Sequence, residues 1–219
     1  MTELTPKDLF KAIHRSQHTQ RNWDLSKEIP QEHLDIIVEA ATQCPSKQNR
    51  AFYKTHVITD RNLIEQLHST TKGFGRFPNP ETGELEPLTN PQTLANVLFV
   101  FESYLPLEEH ERVYSPIGRA ELDEETKQRM LVNDQQQAIG VAAGYINMVA
   151  TLLGYETGCC GCFVNDKSME ILGIENNILL MMGVGFRNEK LNRRFHHEDN
   201  SIKFPTFRKG IMPVIYHTS

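Results

Sequence analysis

The chain has no apolar run long enough to cross a bilayer. Its most apolar long stretch, Ala138 to Leu153, falls short of the roughly 20 residues that a spanning helix needs. The opening segment, MTELTPKDLFKAIHRSQ, lacks the apolar core of a signal peptide. Cysteine is scarce: four in 219 residues is too few for a disulfide scaffold, and in the cytoplasmic protein expected here they are reduced thiols. Neither charge dominates. Lys and Arg total 23 against 28 Asp and Glu, a formal net charge of −5, so there is no global pull toward nucleic acid or a membrane surface. No Walker loop occurs, and no G-x-G-x-x-G follows a strand, which excludes a P-loop or Rossmann site; GVGF at 183–186 lacks both the third glycine and a following helix. There is no internal repeat, no low-complexity segment, no catalytic triad and no paired-carboxylate motif.

What is present reads as a single domain. Residues 5 to 15 predict a short helix with Thr5 as N-cap, Pro6 in the first position, and Leu9, Phe10 and Ile13 on one face. Leu34, Ile37, Val38 and Ala41 recur at helical spacing before Pro45 stops the run. KTHVITD predicts a strand and RNLIEQLHSTT a short helix. NVLFVFESY is apolar almost without alternation, as in a strand covered on both faces. A long helix is predicted from about Glu121 to Leu153, then a strand and loop over GYETGCCGCF, a short helix over DKSMEILGI, and a buried strand over NILLMMGVGF. Helices and strands alternate, so the expected class is α+β or α/β, with helices covering a mixed sheet. Residues 73 to 91, rich in Gly, Pro and Asn, predict an irregular loop of unusual length.

Two clusters invite sharper readings. The long helix carries Gly140 and Gly144 at G-x-x-x-G spacing, with Ala138, Ala142 and Ala143 enlarging the small-residue surface. Close packing within the chain is the first reading and a subunit interface the second. Cys159 and Cys162 form a C-x-x-C, with Cys160 between them. Zinc would need a second pair of ligands, and only the adjacent His196 and His197 offer one. A redox dithiol usually opens a helix, whereas this pair follows a strand. The third reading is a tight wall of small residues in which Gly158 and Gly161 let backbone approach a planar ligand. Anion-binding residues are scattered: His14, Arg15, His18, Thr19 and Arg21 near the start, Ser46, Lys47 and Asn49 past a helix, and Arg208 and Lys209 near the end. Together they suggest one phosphate gripped from several places.

In that order the segments QHTQRNWD, CPSKQN, NPQTLANVLFVF, AIGVAAGYINMVATLLGYETG, LGIENNILLMMGVG and FPTFRKG resemble the FMN-dependent nitroreductase family over almost the whole chain. The resemblance implies an α+β homodimer with FMN at the subunit interface. It implies reduction by NADH or NADPH and ping-pong transfer to a small acceptor such as a nitroaromatic or a quinone, with the flavin rather than a protein nucleophile carrying the chemistry. By position it implies that His18, Thr19 and Arg21 bind FMN, with Arg21 at the N1/O2 edge. Pro45, Ser46 and Asn49 come from the partner subunit, Arg208 meets the phosphate, and the backbone of Cys160, Gly161 and Cys162 faces N5. This chain departs from the family at Gln17, where a phosphate-binding arginine is common, with Arg15 the nearest substitute. It departs also at Thr206, in place of a lysine, and at Pro91, where Asn90 or Gln92 would supply the ring-edge contact. Residues 73 to 130 are expected to form a lid that selects the acceptor. On this reading the cysteines wall the flavin; a non-catalytic flavin-binding module and a zinc or dithiol protein are the alternatives.

Overall fold

The computed structural model describes residues 4–73, 76–78, 82–105, 122–197, 201–204, 210 and 212–217. Helix α1 (Pro6–Ser16) starts where the sequence places it. The Thr5 side chain accepts from the Asp8 amide, and Asp8 accepts from the Thr5 amide in return, a complete capping box. Helices α2 (Gln31–Thr42) and α3 (Arg61–Ser69) follow, the latter capped by Asp60. The long helix α4 (Glu124–Leu152) is capped by Asp123, and α5 (Asn165–Leu172) ends on Gly173 in the left-handed region at φ 64°.

Strands β1 (Tyr53–Ile58), β4 (Val97–Ser103), β5 (Glu156–Cys160) and β6 (Ile178–Gly185) form a sheet in the order β1-β4-β6-β5. All three pairings are antiparallel, so the expected mixed sheet is corrected for the described strands. The reason lies in the connections. Ile58 sits opposite Leu98 and Cys160 opposite Met181, so the excursions containing α3 and α5 each leave and re-enter the sheet at one end. Neither of these two connections crosses over; the one from β4 to β5, which carries α4, does, and it leaves the position between them for β6. Within the predicted irregular loop, β2 (Arg76–Pro78) and β3 (Leu85–Pro87) pair as a small antiparallel ribbon.

β4 lies inside the sheet with both faces covered. Val97, Phe99 and Phe101 join Leu34, Ile37, Ile146, Met182 and Val184 beneath α2 and α4. Leu98 and Val100 join Ile64, Leu67, Cys160 and Met181 on the α3 and α5 side. This double burial explains why the strand's sequence does not alternate. Two helix faces leave residues uncovered within the chain. On α1 only Ala12 is buried, while Phe10 (65% exposed) and Ile13 (53%) face outward. On α4 a Cβ at Gly140 or Gly144 would meet open space. The two glycines therefore do not pack within the chain, whereas Ala138 and Ala142 of the same stripe are buried in it.

Candidate functional site

β5 is an edge strand, and the residues after α1 run along it. The Gln20 amide donates to the Thr157 carbonyl at 2.8 Å. The buried Gln20 side chain then organises both sides of its own backbone: its Oε1 accepts from the amides of Arg21 (2.9 Å) and Asn22 (3.1 Å), and its Nε2 donates to Glu156. Trp23 locks the other end of this segment by donating from its indole to the Pro91 carbonyl at 2.8 Å. A short 3₁₀ turn, Pro91–Thr93, is thereby pressed flat on the sheet. A Cβ at Gly158 would lie 2.7 Å from the Gln20 carbonyl and 3.0 Å from Gln92 Cβ, and one at Gly183 would collide with the Gln92 carbonyl. Only glycine permits this approach.

The turn is held from beneath by His68. This buried ring places Nδ1 3.2 Å from the Asn90 carbonyl and 3.0 Å from Thr93 Oγ1. Burial, and then the neighbouring His197, push its pKa down to about 3, so it is neutral at physiological pH. Asn90 in turn donates to the carbonyls of Lys72 (2.9 Å) and Cys162 (3.2 Å). Its amide fixes the loop after β5 and has no donor left for a ligand.

The sequence-predicted residues fall into two groups. Arg15, Gln17, His18, Thr19, Arg21, Asn90, Gln92, Cys160, Gly161 and Cys162 gather around the β5 edge. Within this group Arg15 is already engaged, with Nε 3.3 Å from the Glu156 carboxylate and Nη2 donating to the Gly154 carbonyl. Gln17 is exposed and caps α1 by donating to the His14 carbonyl. Two polar atoms are buried with no hydrogen-bond partner among the described residues: Arg21 Nε and Gln92 Oε1. Arg21 stacks over Phe204 at 4.5 Å. Pro45, Ser46, Lys47 and Asn49 lie elsewhere. Ser46 Oγ donates to the Arg50 carbonyl, Asn49 adopts φ 56°, and Lys47 pairs with Asp134 of α4 at 2.6 Å. Ser16, between Arg15 and Gln17 of the first group, meets Met148 of α4. Asp134 and Met148 are separated by roughly 20 Å along the helix axis, so one protomer does not bring the two groups together. Arg208, Lys209 and Thr206 lie outside the described residues, as does much of the proposed lid, 73 to 130.

The cysteines split by strand alternation. Cys160 is buried in the α3–α5 core, where desolvation raises its pKa. Cys159 points to the opposite face. It is solvent-exposed, yet enough surrounding protein desolvates it to push its thiol up to about 11, with neighbouring Cys160 adding to the effect. Neither thiol has the lowered pKa of a reactive cysteine. The sequence reading passed over His68, Gln20 and Arg193. Arg193, in the segment after β6, donates toward His18 Nδ1 (3.4 Å) and the Thr19 carbonyl (3.5 Å). Its only advance signal is the basic character of the stretch LNRRFHH.

Comparison with known proteins agrees with this fold. The profile of the nitroreductase family matches residues 15–186. No curated protein matches the chain. Among solved structures, a protein of Staphylococcus epidermidis named as an NAD(P)H:FMN oxidoreductase is 18% identical, with a TM-score of 0.61 over 88% of this chain and 93% of that one. One of Exiguobacterium sibiricum, named as a nitroreductase and solved in complex with FMN, is 16% identical, with a TM-score of 0.60 over 96% and 95%. A nitroreductase-like protein of Streptococcus mutans is 14% identical, with a TM-score of 0.63 over 97% and 100%. At such identities the likeness is one of fold.

Proposed function

The chain belongs to the nitroreductase family, and from that premise we propose that it is a cytoplasmic, homodimeric FMN-dependent oxidoreductase. It takes reducing equivalents from NADH or NADPH and passes them to small acceptors such as nitroaromatics or quinones. The observation that carries this reading is a pair of orphaned polar atoms, one on Gln92, which packs against Gly158, and one on Arg21, next to Gln20, whose carbonyl packs there too. Arg21 Nε is a buried donor without an acceptor, and Gln92 Oε1 is a buried acceptor without a donor. Unmet groups of this kind cost about 1–3 kcal/mol each. They match a flat ligand whose edge carries both acceptors and an N–H.

When bound, FMN supplies the redox chemistry, accepting hydride at N5 and gathering negative charge along its N1/O2 edge. Arg21, half-buried, would stabilise that charge more strongly than a solvated cation could. Gln92 would accept from the ring's N–H. Asn90, His68 and Trp23 act at one remove by fixing the turn and the 160–162 loop, whose Gly161 is exposed and free of side chain. Pro45, Ser46, Lys47 and Asn49 would come from the second subunit. Support for that subunit is the unburied apolar surface: Leu9, Phe10 and Ile13 on α1, Val141, Tyr145 and Leu152 on α4, and Met212, Val214, Ile215 and Tyr216 near the end. An obligate interface typically covers about 2,000 Å² or more in total. Among the described residues no helix is long and apolar enough to cross a membrane.

The raised thiol pKa values argue against a dithiol mechanism. The test is purification with and without added FMN, followed by anaerobic mixing with NADH or NADPH. The expected result is a stoichiometric flavin whose absorbance bleaches and returns on adding an acceptor. A flavin that binds but is never bleached would instead support the non-catalytic module, and a protein with no affinity for FMN would refute both.

A further inference from the structure

We propose that the cavity between the start of α2 and the start of α3 binds an amphipathic monocarboxylate, an aliphatic chain ending in one carboxylate, and that its occupancy is felt at the turn carrying Gln92. The binding site stands independently of the flavin reading; only the coupling to Gln92 rests on it.

The cavity measures about 520 Å³, within the roughly 300–1,000 Å³ of small-molecule sites. It shares no lining residue with either group of candidate flavin contacts. Its apolar lining is aliphatic and includes the buried core residues Leu34, Ile64 and Val97. Two cations, Lys27 and Arg61, line it against one carboxylate, Glu28. α2 begins beside it at Gln31 without a side-chain cap, so the positive end of that helix adds to the pull on an anion.

Arg61 decides the kind of anion. Its Nη1 donates to the carbonyls of Leu94 (3.0 Å) and Ala95 (3.1 Å), and its Nε lies 3.1 Å from the Glu65 carboxylate. Nη2 is buried and has no hydrogen-bond partner among the described residues. Burial is the first cause lowering the pKa of this guanidinium, so an acceptor at Nη2 relieves a desolvated charge. Lys27 is already paired with Asp24 at 2.9 Å. Glu28 and Glu65 are exposed and screened by water, yet with Asp24 they weigh against a second negative charge. A monocarboxylate therefore fits better than a phosphate monoester.

The same side chains reach the candidate flavin site. Leu94 and Ala95 directly follow the Pro91–Thr93 turn that carries Gln92. Asn96, which also lines the cavity, donates to the carbonyls of Asp24 (3.0 Å) and Lys27 (2.8 Å), just beyond the Arg21–Trp23 segment. A guanidinium is a rigid plane. Turning Nη2 toward a ligand therefore draws Nη1 off the two carbonyls and loosens the turn. Carboxylate and flavin are expected to oppose each other, and the opposition is reciprocal.

The experiment uses the full-length chain, with octanoate as the probe and octan-1-ol and octyl phosphate as controls. Calorimetric titration of the flavin-free protein should show saturable binding of one octanoate per chain, with both controls at least about tenfold weaker. Arg61→Met should weaken octanoate by about 10- to 150-fold. Lys27→Met, at an exposed position, should weaken it by about two- to fivefold, and no loss there would overturn the site even if Arg61→Met fails to fold. So would equal binding of octan-1-ol, tighter binding of octyl phosphate, or unchanged affinity in a folded Arg61→Met protein. FMN affinity, read by flavin fluorescence, should fall by about fivefold or more in saturating octanoate; unchanged FMN affinity would overturn the coupling. A parent that binds octanoate but not FMN would refute the functional reading and leave the cavity site standing, and one that binds FMN but not octanoate would do the reverse.

Discussion

Acidification should loosen the candidate site through His68, by an amount that the structure sets. In the unfolded chain this imidazole titrates near 6.5; in the fold its pKa is pushed down to about 3. Burial is the first cause, and the nearby His197, His196 and Arg61 also oppose a positive charge, against a favourable contact with the Asn90 carbonyl. A depressed histidine is stabilising when neutral. Its contribution is therefore fully present above pH 6.5 and is lost as pH falls from there toward 3, because the unfolded chain binds the proton first. At about 1.4 kcal/mol per pH unit the whole span amounts to about 5 kcal/mol, comparable with the stability of a marginal domain. Only the upper part of the span is needed for a test. Between pH 7 and pH 5 the parent should lose about 2 kcal/mol more than His68→Asn, whose amide can replace the Nδ1 donor without titrating. Urea unfolding at fixed FMN and protein concentration reads this difference directly. Flavin release should follow the same pH course, since His68 holds the turn that carries Gln92. Parallel stability curves for parent and variant would refute the argument.

Gly158→Ala places a Cβ 2.7 Å from the Gln20 carbonyl; backbone cannot yield cheaply, so thermal unfolding should show about 1–3 kcal/mol of destabilisation, together with weaker FMN binding. Gly144→Arg meets open space within the protomer, so secondary structure by circular dichroism should persist while sedimentation shifts from dimer toward monomer and flavin is lost; a stable dimer would contradict the assigned interface. Cys160→Ser buries a hydroxyl in an apolar cluster and should cost about 1–2 kcal/mol, whereas Cys159→Ser should be nearly neutral for stability, and both should retain flavin reduction measured by stopped flow. Loss of turnover with normal flavin reduction in Cys159→Ser would revive the dithiol reading.

Local features were legible in the sequence wherever the physics is local. Thr5, Pro6 and Asp8 specify the start of α1 because a capping box is closed within four residues. The unalternating apolar run of β4 announced burial on two faces. The helix periodicities located α2 and α4 within a few residues of their observed ends. The same local pattern does not say which face is covered. Leu9, Phe10 and Ile13 share a helical face, and Gly140 and Gly144 share another, but nothing in a periodicity says whether the covering surface belongs to the same chain.

The site divides along the same line. Composition and motif order were enough to bring out the segments 17–24, 45–49 and 158–162, and the absence of a Walker or Rossmann loop turned attention from nucleotide-binding turns to scattered cations. Tertiary structure decided which of the candidate side chains are available. Arg15 is committed to Glu156, Lys47 to Asp134, and Asn90 to the loop after β5. Arg21 Nε and Gln92 Oε1 remain without partners among the described residues. It also brought Arg193 to His18 and His68 beneath the 91–93 turn. Those encounters join residues remote in sequence, and they arise because β5 sits at the sheet edge with the chain after α1 laid along it. A side chain's type and its neighbours in sequence determine what chemistry it can perform. Whether its charge is spent or free depends on what the fold places within about 3 Å of it.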